Sequence, residues 1–279
     1  MAEARTTEER VDVIERFGEE WSRFDQTGLS EAESRATFES YFEVFPWDDL
    51  PDDAEGFDLG CGSGRWALHV APRVGVLHCV DPSEAVLVAE RNLFGHRNVE
   101  FHRATAAELP FPPNSMDFGY SLGVLHHVAD TEGALRRAVS SLRMGAPFLV
   151  YLYYALDNRP WWFRALWRSS DFARRLIAHQ PGPVRRLACD GIAAGVYFPL
   201  AKTSAVAERL GVDVANWPLS AYRDRTLYAM RTDALDRFGT RLEKRYTREQ
   251  VETLLRDAGL ENIRFCSSVY WCAVGTRCR

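Results

Sequence analysis

The sequence of 279 residues contains no apolar run that approaches the roughly 18 residues needed to cross a membrane. Its beginning, MAEARTTEERVDVIERFGEEW, is charged throughout and lacks the apolar segment of a secretory signal peptide. These two absences argue against a membrane-spanning or exported protein. We therefore expect a cytoplasmic location.

Paired cysteines and excess positive charge are missing as well. The six cysteines include no C-x-x-C pair, so their spacing suits neither a disulfide framework nor a zinc site. We expect reduced thiols and no metal. The net charge of −5 gives no bulk attraction to nucleic acid, so the expected partner is a small molecule. The sequence leaves open whether the chain forms a homodimer.

The beginning of the chain has a helical pattern. Apolar residues recur at three- and four-residue intervals from Val11 to Phe24, and a second helix begins at Ser30, which is followed by Glu33 as in a capping box. Residues 1–48 are therefore predicted to form an N-terminal helical lid.

From about residue 55 the pattern changes to short apolar strands that alternate with helices, which implies βαβ units around a parallel sheet. A helix and two more strand candidates close the chain. We predict an α/β fold: a doubly wound, Rossmann-like, seven-stranded, mostly parallel sheet built from residues 49–156 and 247–279. Residues 157–246 are too many for a loop and predict a helical cap insertion.

A glycine-rich loop follows the first predicted strand in FDLGCGSGRW, residues 57–66. Gly60, Gly62 and Gly64 form a G-x-G-x-G pattern, which differs from the G-x-G-x-x-G of dinucleotide folds, and no G-K-[ST] follows as in a P-loop. Such loops lie where doubly wound folds bind ligands. The pattern alone leaves open a phosphate, a nucleoside or tight backbone packing.

An acidic residue, Asp81, ends the second predicted strand. A carboxylate at this point of the fold can accept hydrogen bonds from both vicinal hydroxyls of a ribose. The alternative is a turn aspartate before Pro82. Together, the glycine loop and Asp81 favour a nucleoside-containing ligand.

The stretch TAAELPFPPNSMDFGYSLGVLHHVAD, residues 105–130, adds an L-P-F turn at 109–111 and a strand end at 117–127. With the glycine loop and Asp81, these motifs resemble those of the class I S-adenosylmethionine-dependent methyltransferases, in particular the type 11 or UbiE-like small-molecule branch. The four motifs occur here in the family's order. DALDRFGTRLEKRY, in the predicted cap, is similar to a subgroup with a helical insertion after the fifth strand.

The resemblance covers about residues 50–156 and 247–277 and implies S-adenosylmethionine as the cofactor. It implies that the glycine loop passes under the methionyl part of the cofactor, with Asp58 near the amino group and Asp81 on the ribose. The implied cofactor-binding residues are Asp58, Gly60, Cys61, Gly62, Gly64, Asp81, Pro82, Ser83, Thr105, Ala106, Ala107, Leu122, Gly123 and Val124.

One position departs from the family. Many relatives carry an aspartate after the third strand that accepts a hydrogen bond from the adenine amino group, and Thr105 occupies that position here. A threonine hydroxyl can accept this bond more weakly than a carboxylate. The resemblance also implies that the backbone of Ala106 contacts the adenine ring, and the threonine at position 105 does not affect that contact.

Candidate catalytic residues are His126, His127 and Tyr154. The two histidines open the segment after the fourth strand, where a histidine is more often a packed, hydrogen-bonded residue than a catalytic base. A general base is useful for a hydroxyl acceptor and unnecessary for a carboxylate. Candidate substrate-binding residues are Trp21, Tyr153, Trp161, Tyr222, Arg223 and Arg237.

Between residues 157 and 187, seven arginines and several aromatic residues occur together. Three explanations stay open for this arginine-rich stretch. It can form a pocket for an anionic acceptor, because arginine forks bind carboxylate and phosphate. It can be an amphipathic helix on an anionic membrane. It can be a cap helix with a solvated basic face.

The expected function is therefore transfer of a methyl group to an oxygen or nitrogen of a small-molecule acceptor, such as a natural product, a sugar or a carboxylate- or phosphate-bearing metabolite. Two alternatives are a methyltransferase-fold protein acting on a lipid-linked acceptor at the membrane surface and a cofactor-binding protein without methyl transfer. A nucleic-acid methyltransferase would carry an [NDS]-P-P-[YF] tetrad where SLGVLHHV stands. A nicotinamide oxidoreductase is disfavoured by the glycine spacing.

Overall fold

A computed structural model describes residues 18, 23–25, 28–268 and 270–279. Its sheet contains seven strands: β1 Glu55–Leu59, β2 Val76–Val80, β3 Val99–His102, β4 Phe118–Leu122, β5 Pro147–Leu152, β6 Leu260–Phe265 and β7 Trp271–Arg277. Their order is β3-β2-β1-β4-β5-β7-β6. β1 to β5 pair in parallel, whereas β7 runs antiparallel to both β5 and β6. This confirms the predicted α/β class with a mostly parallel seven-stranded sheet.

Helices flank the sheet on both sides. They are α1 Glu31–Tyr41, α2 Ala67–Val70, α3 Ala85–Asn92, α4 Thr131–Ser141 and, after the cap segment, α9 Arg248–Asp257. The start of α1 agrees with the sequence pattern, because the Ser30 Oγ accepts a hydrogen bond from the Glu33 N–H at 3.2 Å. α9 begins with a complete capping box between Thr247 and Gln250.

The two faces of the sheet carry separate apolar clusters. Side chains alternate along a strand, so Phe57 and Leu59 point to one face, here called the Phe57 face. Cys79 and Tyr120 belong to the cluster on the other face, here called the Tyr120 face. The register pairs Asp58 with both Cys79 and Tyr120, which places the Asp58 side chain on the Tyr120 face.

β1 occupies the point where the strand order reverses, since β2 lies on one side of it and β4 on the other. Loops that leave the carboxyl ends of β1 and β4 consequently connect to helices on opposite faces. In open α/β sheets this reversal creates the crevice in which ligands bind. The glycine loop and the strand end at 117–127 both lie at this point.

The chain divides into two compact units, one of residues 1–26, 34–157 and 242–279 and one of residues 27–33 and 158–241. The first holds the sheet. The second is helical and contains α5 Trp161–Ala178, α6 Gly182–Ile192, α7 Phe198–Arg209 and α8 Leu227–Gly239, with a π-helical segment Ala193–Tyr197 between α6 and α7. The roles of a lid for residues 1–48 and of a cap for residues 157–246 stay predictions.

Ion pairs and hydrogen bonds join the helices of the second unit. Buried Arg174 donates from Nε to the Asp171 carboxylate at 2.6 Å and from Nη1 to the Thr240 carbonyl at 2.9 Å, which links α5 to the end of α8. Arg231 on α8 forms a bidentate pair with Asp190 on α6. Part of the arginine-rich stretch is therefore structural. Among the described residues, no helix has the length and apolar character needed to cross a membrane.

Candidate functional site

The glycine loop folds back onto the end of β2. The backbone N–H groups of Gly60 and Cys61 both donate to the Val80 carbonyl, at 2.7 and 3.1 Å. Gly60, Gly62 and Gly64 have φ values of +80°, +53° and +78°. Residues with a side chain rarely adopt this left-handed backbone, so the loop conformation itself requires glycine.

Two of the glycines are also required by packing. A Cβ on Gly60 would collide with the methyl groups of Val124, and a Cβ on Gly64 would lie 2.8 Å from Leu93 Cδ1. Tight packing, one of the three explanations left open by the sequence, therefore applies to both positions. It does not exclude a ligand, because the loop keeps its backbone at the carboxyl end of the sheet.

Asp81 is held rigidly beside this loop. Its Oδ2 accepts from the Gly62 N–H at 3.0 Å, and its Oδ1 accepts from the Ser83 N–H at 2.9 Å and the Ser83 Oγ–H at 2.6 Å. Burial raises the pKa of Asp81, and these bonds oppose the shift. A carboxylate has about four acceptor positions, and three are used. The Asp81 carboxylate can therefore accept hydrogen bonds from both ribose hydroxyls only if the Ser83 hydroxyl rotates away from Oδ1.

Asp58 is completely buried at the end of β1. Neither carboxylate oxygen has a hydrogen-bond partner among the residues that the structure describes. The pKa of Asp58 is raised to about 8: burial is the main cause and the charge of Asp81 adds to it, whereas the neighbouring Tyr120 hydroxyl and the charge of Arg65 act in the opposite direction. A buried carboxyl group without a partner is costly. It fits a ligand that brings a cation, such as the amino group of S-adenosylmethionine.

The end of β4 leaves space beside Asp58 and the loop. Gly123 has a φ of +83°, and no atom lies within 4 Å of the position that its Cβ would occupy. Leu122 is buried, and Val124 packs on Gly60 as described above. The predicted residues of β1, β2 and β4 therefore lie together at the carboxyl ends of neighbouring strands.

Thr105 precedes a short 3₁₀ helix, Ala106–Glu108, after β3. Its Oγ1 donates to the Glu108 carboxylate at 2.9 Å. The sequence analysis did not single out Glu108, which lies three residues beyond Thr105. A carboxylate is therefore present in this segment despite the threonine.

Tyr120 is a second residue that sequence reasoning missed. It is fully buried and lies beside Asp58 through the β1–β4 register. Burial and the neighbouring Asp58 raise the pKa of the Tyr120 hydroxyl well above its usual value. The alternation within MDFGYSLGV was the available signal, because every second residue of β4 shares a face with Asp58.

His126 and His127 are buried, and both of their rings contact the ring of Tyr153. The His126 ring is fully buried, stacks on the Tyr153 ring with centroids 3.8 Å apart, and has no hydrogen-bond partner on either nitrogen among the described residues. Burial, assisted by His127 and Arg245, lowers the pKa of His126 well below its usual value. His126 is therefore uncharged at neutral pH. The His127 Nδ1–H donates to the Leu242 carbonyl at 2.6 Å.

Tyr154 lies apart from these residues. It follows Tyr153 on the chain and packs with the cluster of the Phe57 face, edge-on to Trp271 with ring centroids 6.4 Å apart. Asp58 and Tyr120 lie on the opposite face of the sheet. The structure therefore does not bring Tyr154 to the group of predicted site residues, because it lies two residues beyond the end of β5 and packs on the Phe57 face.

The remaining substrate-binding candidates belong to the second unit, except Tyr153 and Trp21, and Trp21 lies outside the described residues. Arg223 pairs with Glu208, Nε to Oε2, at 2.7 Å, and the Arg237 Nη2–H donates to Ser170 Oγ at 2.8 Å. Trp161 is 75% exposed.

Within the second unit, Tyr222 and Arg237 both lie beside Asp233. Burial raises the pKa of Asp233 to about 6, whereas Tyr222 and Arg237 lower it and Asp236 raises it. Of the predicted cap residues, the structure thus brings Tyr222 and Arg237 together around one carboxyl group, and Arg223 is engaged elsewhere.

A Rossmann-like sheet with a glycine loop at its topological switch point, flanked by two buried strand-end carboxyl groups, defines a nucleoside-binding α/β protein. Residues 57–150 match the family described as "Methyltransferase domain". Residues 57–150 thus have the character of a methyltransferase domain, for which S-adenosylmethionine is the cofactor.

Individual proteins agree with this assignment. The chain is 32% identical over 104 residues to the "Uncharacterized methyltransferase YcgJ" of Bacillus subtilis (strain 168), covering 36% of this chain and 41% of that protein. It is 27% identical over 131 residues to the ajmaline N-methyltransferase of Rauvolfia serpentina, covering 42% and 44%. The matched stretch spans less than half the length of either relative.

A solved O-methyltransferase family protein from Burkholderia thailandensis has the same fold. It superposes with a TM-score of 0.52 at 14% identity, over 88% of this chain and 56% of that chain. At this level of identity the likeness concerns the fold alone.

Proposed function

We propose that the protein transfers the methyl group of S-adenosylmethionine to an oxygen or nitrogen of a small-molecule acceptor. The observation that supports this most directly is the buried Asp58 carboxyl group, which has no partner among the described residues and lies at the switch point beside the glycine loop. The similarity to the ajmaline N-methyltransferase agrees with a nitrogen acceptor.

The residues that would hold the cofactor each contribute a distinct contact. Asp58 would bind the amino group, the backbone of Gly60 to Gly64 the methionyl part, Asp81 the ribose and the Thr105–Glu108 segment the adenine. When bound, S-adenosylmethionine supplies a methyl group activated by a positively charged sulfur. The chain then has to align the acceptor and exclude water.

The state of the histidines favours an acceptor that needs little help from a base. Because His126 is fully buried and uncharged, we propose that it supports the ring of Tyr153, which forms an apolar wall of the acceptor site, and that it does not act as a base. A carboxylate or a neutral amine can attack without a general base, whereas an alcohol of high pKa cannot do so readily.

The proposal is tested by incubating the full chain with S-adenosylmethionine carrying an isotopically labelled methyl group and with panels of amines, carboxylates and phenols. We expect label in a product of one panel by mass spectrometry. Binding of S-adenosylhomocysteine, measured beside NADH, is the control for a competent cofactor site. A folded protein that binds no S-adenosylhomocysteine would refute the proposal, and binding without transfer would favour a binding protein.

A second candidate function is methyl transfer to an acceptor at a membrane surface. The exposed side chains of α5 support this candidate. Four large apolar side chains of this helix, Trp161, Leu166, Phe172 and Leu176, are 75%, 52%, 68% and 55% exposed. Arg164, Arg168 and Arg175 are exposed on the same helix. Exposed tryptophan, phenylalanine and leucine beside arginine are typical of helices that lie in an anionic membrane interface.

We expect the protein to sediment with vesicles that contain phosphatidylglycerol and much less with vesicles of phosphatidylcholine alone. The double substitution L166S/F172S should lower the vesicle affinity at least tenfold, because each buried large apolar side chain contributes about 1.5–3 kcal/mol. L210S is the matched control, since Leu210 is 78% exposed and lies on another helix end. Equal loss in both variants would reject α5 as the membrane contact.

A further inference from the structure

Three side chains of metal-ligating type meet at the edge of the sheet, on the Phe57 face. His78 lies on β2, and Glu100 and His102 lie on the edge strand β3. The register pairs His78 with Glu100, and residues 100 and 102 share a face because they are two positions apart. This cluster belongs to the sheet unit and contains none of the residues proposed to bind the cofactor.

The separations of the three ligand atoms match those around a single metal ion. His78 Nδ1 lies 3.0 Å from His102 Nε2 and 3.4 Å from Glu100 Oε2, and the last two atoms are 3.9 Å apart. A point equidistant from three atoms with these separations lies about 2 Å from each, which is the length of zinc–nitrogen and zinc–oxygen bonds. No backbone movement is required to place an ion there.

A second carboxylate orients the first histidine. The His78 Nε2–H donates to Glu55 Oε1 at 2.8 Å, so Nδ1 keeps its lone pair directed at His102 and Glu100. Metal-binding histidines commonly donate their other ring N–H to a carboxylate in this way. Phe111 packs against both imidazole rings, with centroids 5.0 and 5.6 Å away, and limits their rotation.

The three side chains differ in their exposure to solvent. The side chains of His78, His102 and Glu100 are 8%, 26% and 61% exposed, so an ion can enter past Glu100 and one coordination position remains for water. We propose that His78, Glu100 and His102 bind a divalent transition-metal ion of the Zn²⁺ type, with Glu55 as the carboxylate that positions His78. Two imidazoles and a carboxylate are a ligand set that suits Zn²⁺.

Binding of an ion here would join the edge strand β3 to its neighbour β2. The competing explanation is a simple hydrogen-bonded chain from Glu55 through His78 to His102, which needs no ion. The two explanations differ in their response to added metal and to substitution of Glu100, because Glu100 contributes to the metal site and not to that chain.

The test is calorimetric titration of the untagged full chain with Zn²⁺ in a non-chelating buffer. We expect one ion per chain, a rise in the melting temperature on binding, and at least a tenfold loss of affinity in Glu100→Gln and His102→Gln. Glu55→Ala should lower the affinity tenfold or more, as losses of positioning partners commonly do. Glu100 is exposed, so its variant is expected to fold.

His96→Gln, which changes a histidine outside the cluster, is the matched control and should bind Zn²⁺ as the unaltered protein does. Substitution with Co²⁺ reports the ligand type, because thiolates give a charge-transfer band that imidazole and carboxylate lack. Failure of the unaltered protein to bind Zn²⁺ would overturn the proposal. Binding that survives in both Glu100→Gln and His102→Gln, or that shows thiolate bands, would do so equally.

Discussion

Binding of S-adenosylhomocysteine at pH 7 is expected to release close to one proton per ligand, and Asp58→Asn should abolish the release. The pKa of Asp58 is raised to about 8 by burial, so most molecules carry a protonated carboxyl group at pH 7. A ligand amino group beside Asp58 favours the ionised form and lowers this pKa. The proton then leaves the protein on binding.

The release is measured by titration calorimetry at pH 7 in two buffers of different ionisation enthalpy. It should shrink as the pH rises above 8, where Asp58 is already ionised before binding. Asp52→Asn, a change at an exposed aspartate outside the site, is the control and should leave the release intact. Binding without proton release by the unaltered protein would show that the cofactor amino group does not meet Asp58.

A measurement without ligand checks the same pKa independently. The folded-state pKa of Asp58 lies above the usual value of 3.8, so the folded protein binds the extra proton between about pH 4 and pH 8. The stabilising effect of that proton is fully present below about pH 4 and is lost as the pH rises through 8. The free energy of unfolding of Asp58→Asn, relative to the unaltered protein, should therefore increase by about 3 kcal/mol from pH 5 to pH 8.

Replacement of Asp81 by alanine is expected to weaken binding of S-adenosylhomocysteine by roughly 10- to 100-fold. A hydrogen bond to a charged group contributes about 1.5–3 kcal/mol, and the substitution removes at least one such bond to the ribose. It also releases the Gly62 N–H and both Ser83 donors, which the carboxylate now orders. The effect on binding thus includes a loosened glycine loop.

Glu84→Ala is the matched control, because Glu84 is a neighbouring, largely exposed carboxylate whose partner, Arg103, lies 4.0 Å away. Circular dichroism and thermal unfolding of both variants separate a binding defect from misfolding. Ser83→Ala distinguishes the two contributions of Asp81, since it removes one donor and leaves the carboxylate. If Asp81→Ala folds normally and binds as tightly as the unaltered protein, the ribose lies elsewhere.

The fold was predictable in its main features because they depend on local pattern. Apolar runs of five or six residues separated by helical segments predict parallel strands, and the glycines after β1 mark the turn at the switch point. The antiparallel direction of β7 was not predictable in this way. It depends on the short connection from β6, which cannot carry the chain back to the opposite end of that strand for a parallel pairing.

The candidate site was predictable only where a motif has a fixed position on a strand end. Asp58, Asp81 and the glycine loop follow this rule, and the structure brings them together. Tyr154 shows the limit of this rule, since it lies two residues beyond β5 and packs on the face of the sheet opposite to Asp58. Glu108 shows a second limit of prediction from motifs, because its contact with Thr105 arises from a 3₁₀ turn that has no strong sequence signal.

The sequence by itself determined the class of fold, the order of its strands along the chain and the chemistry at the ends of β1 and β2, because these follow from periodicity and from short motifs. Only the tertiary structure decided which distant residues meet. Asp58 with Tyr120, and His78 with Glu100 and His102, are neighbours through strand pairing across 22 or more positions of sequence. Burial then sets their chemistry. Desolvation raises the pKa of Asp58 and lowers that of His126. These shifts arise from burial in the folded protein and are absent in the unfolded chain, so the sequence alone does not predict them.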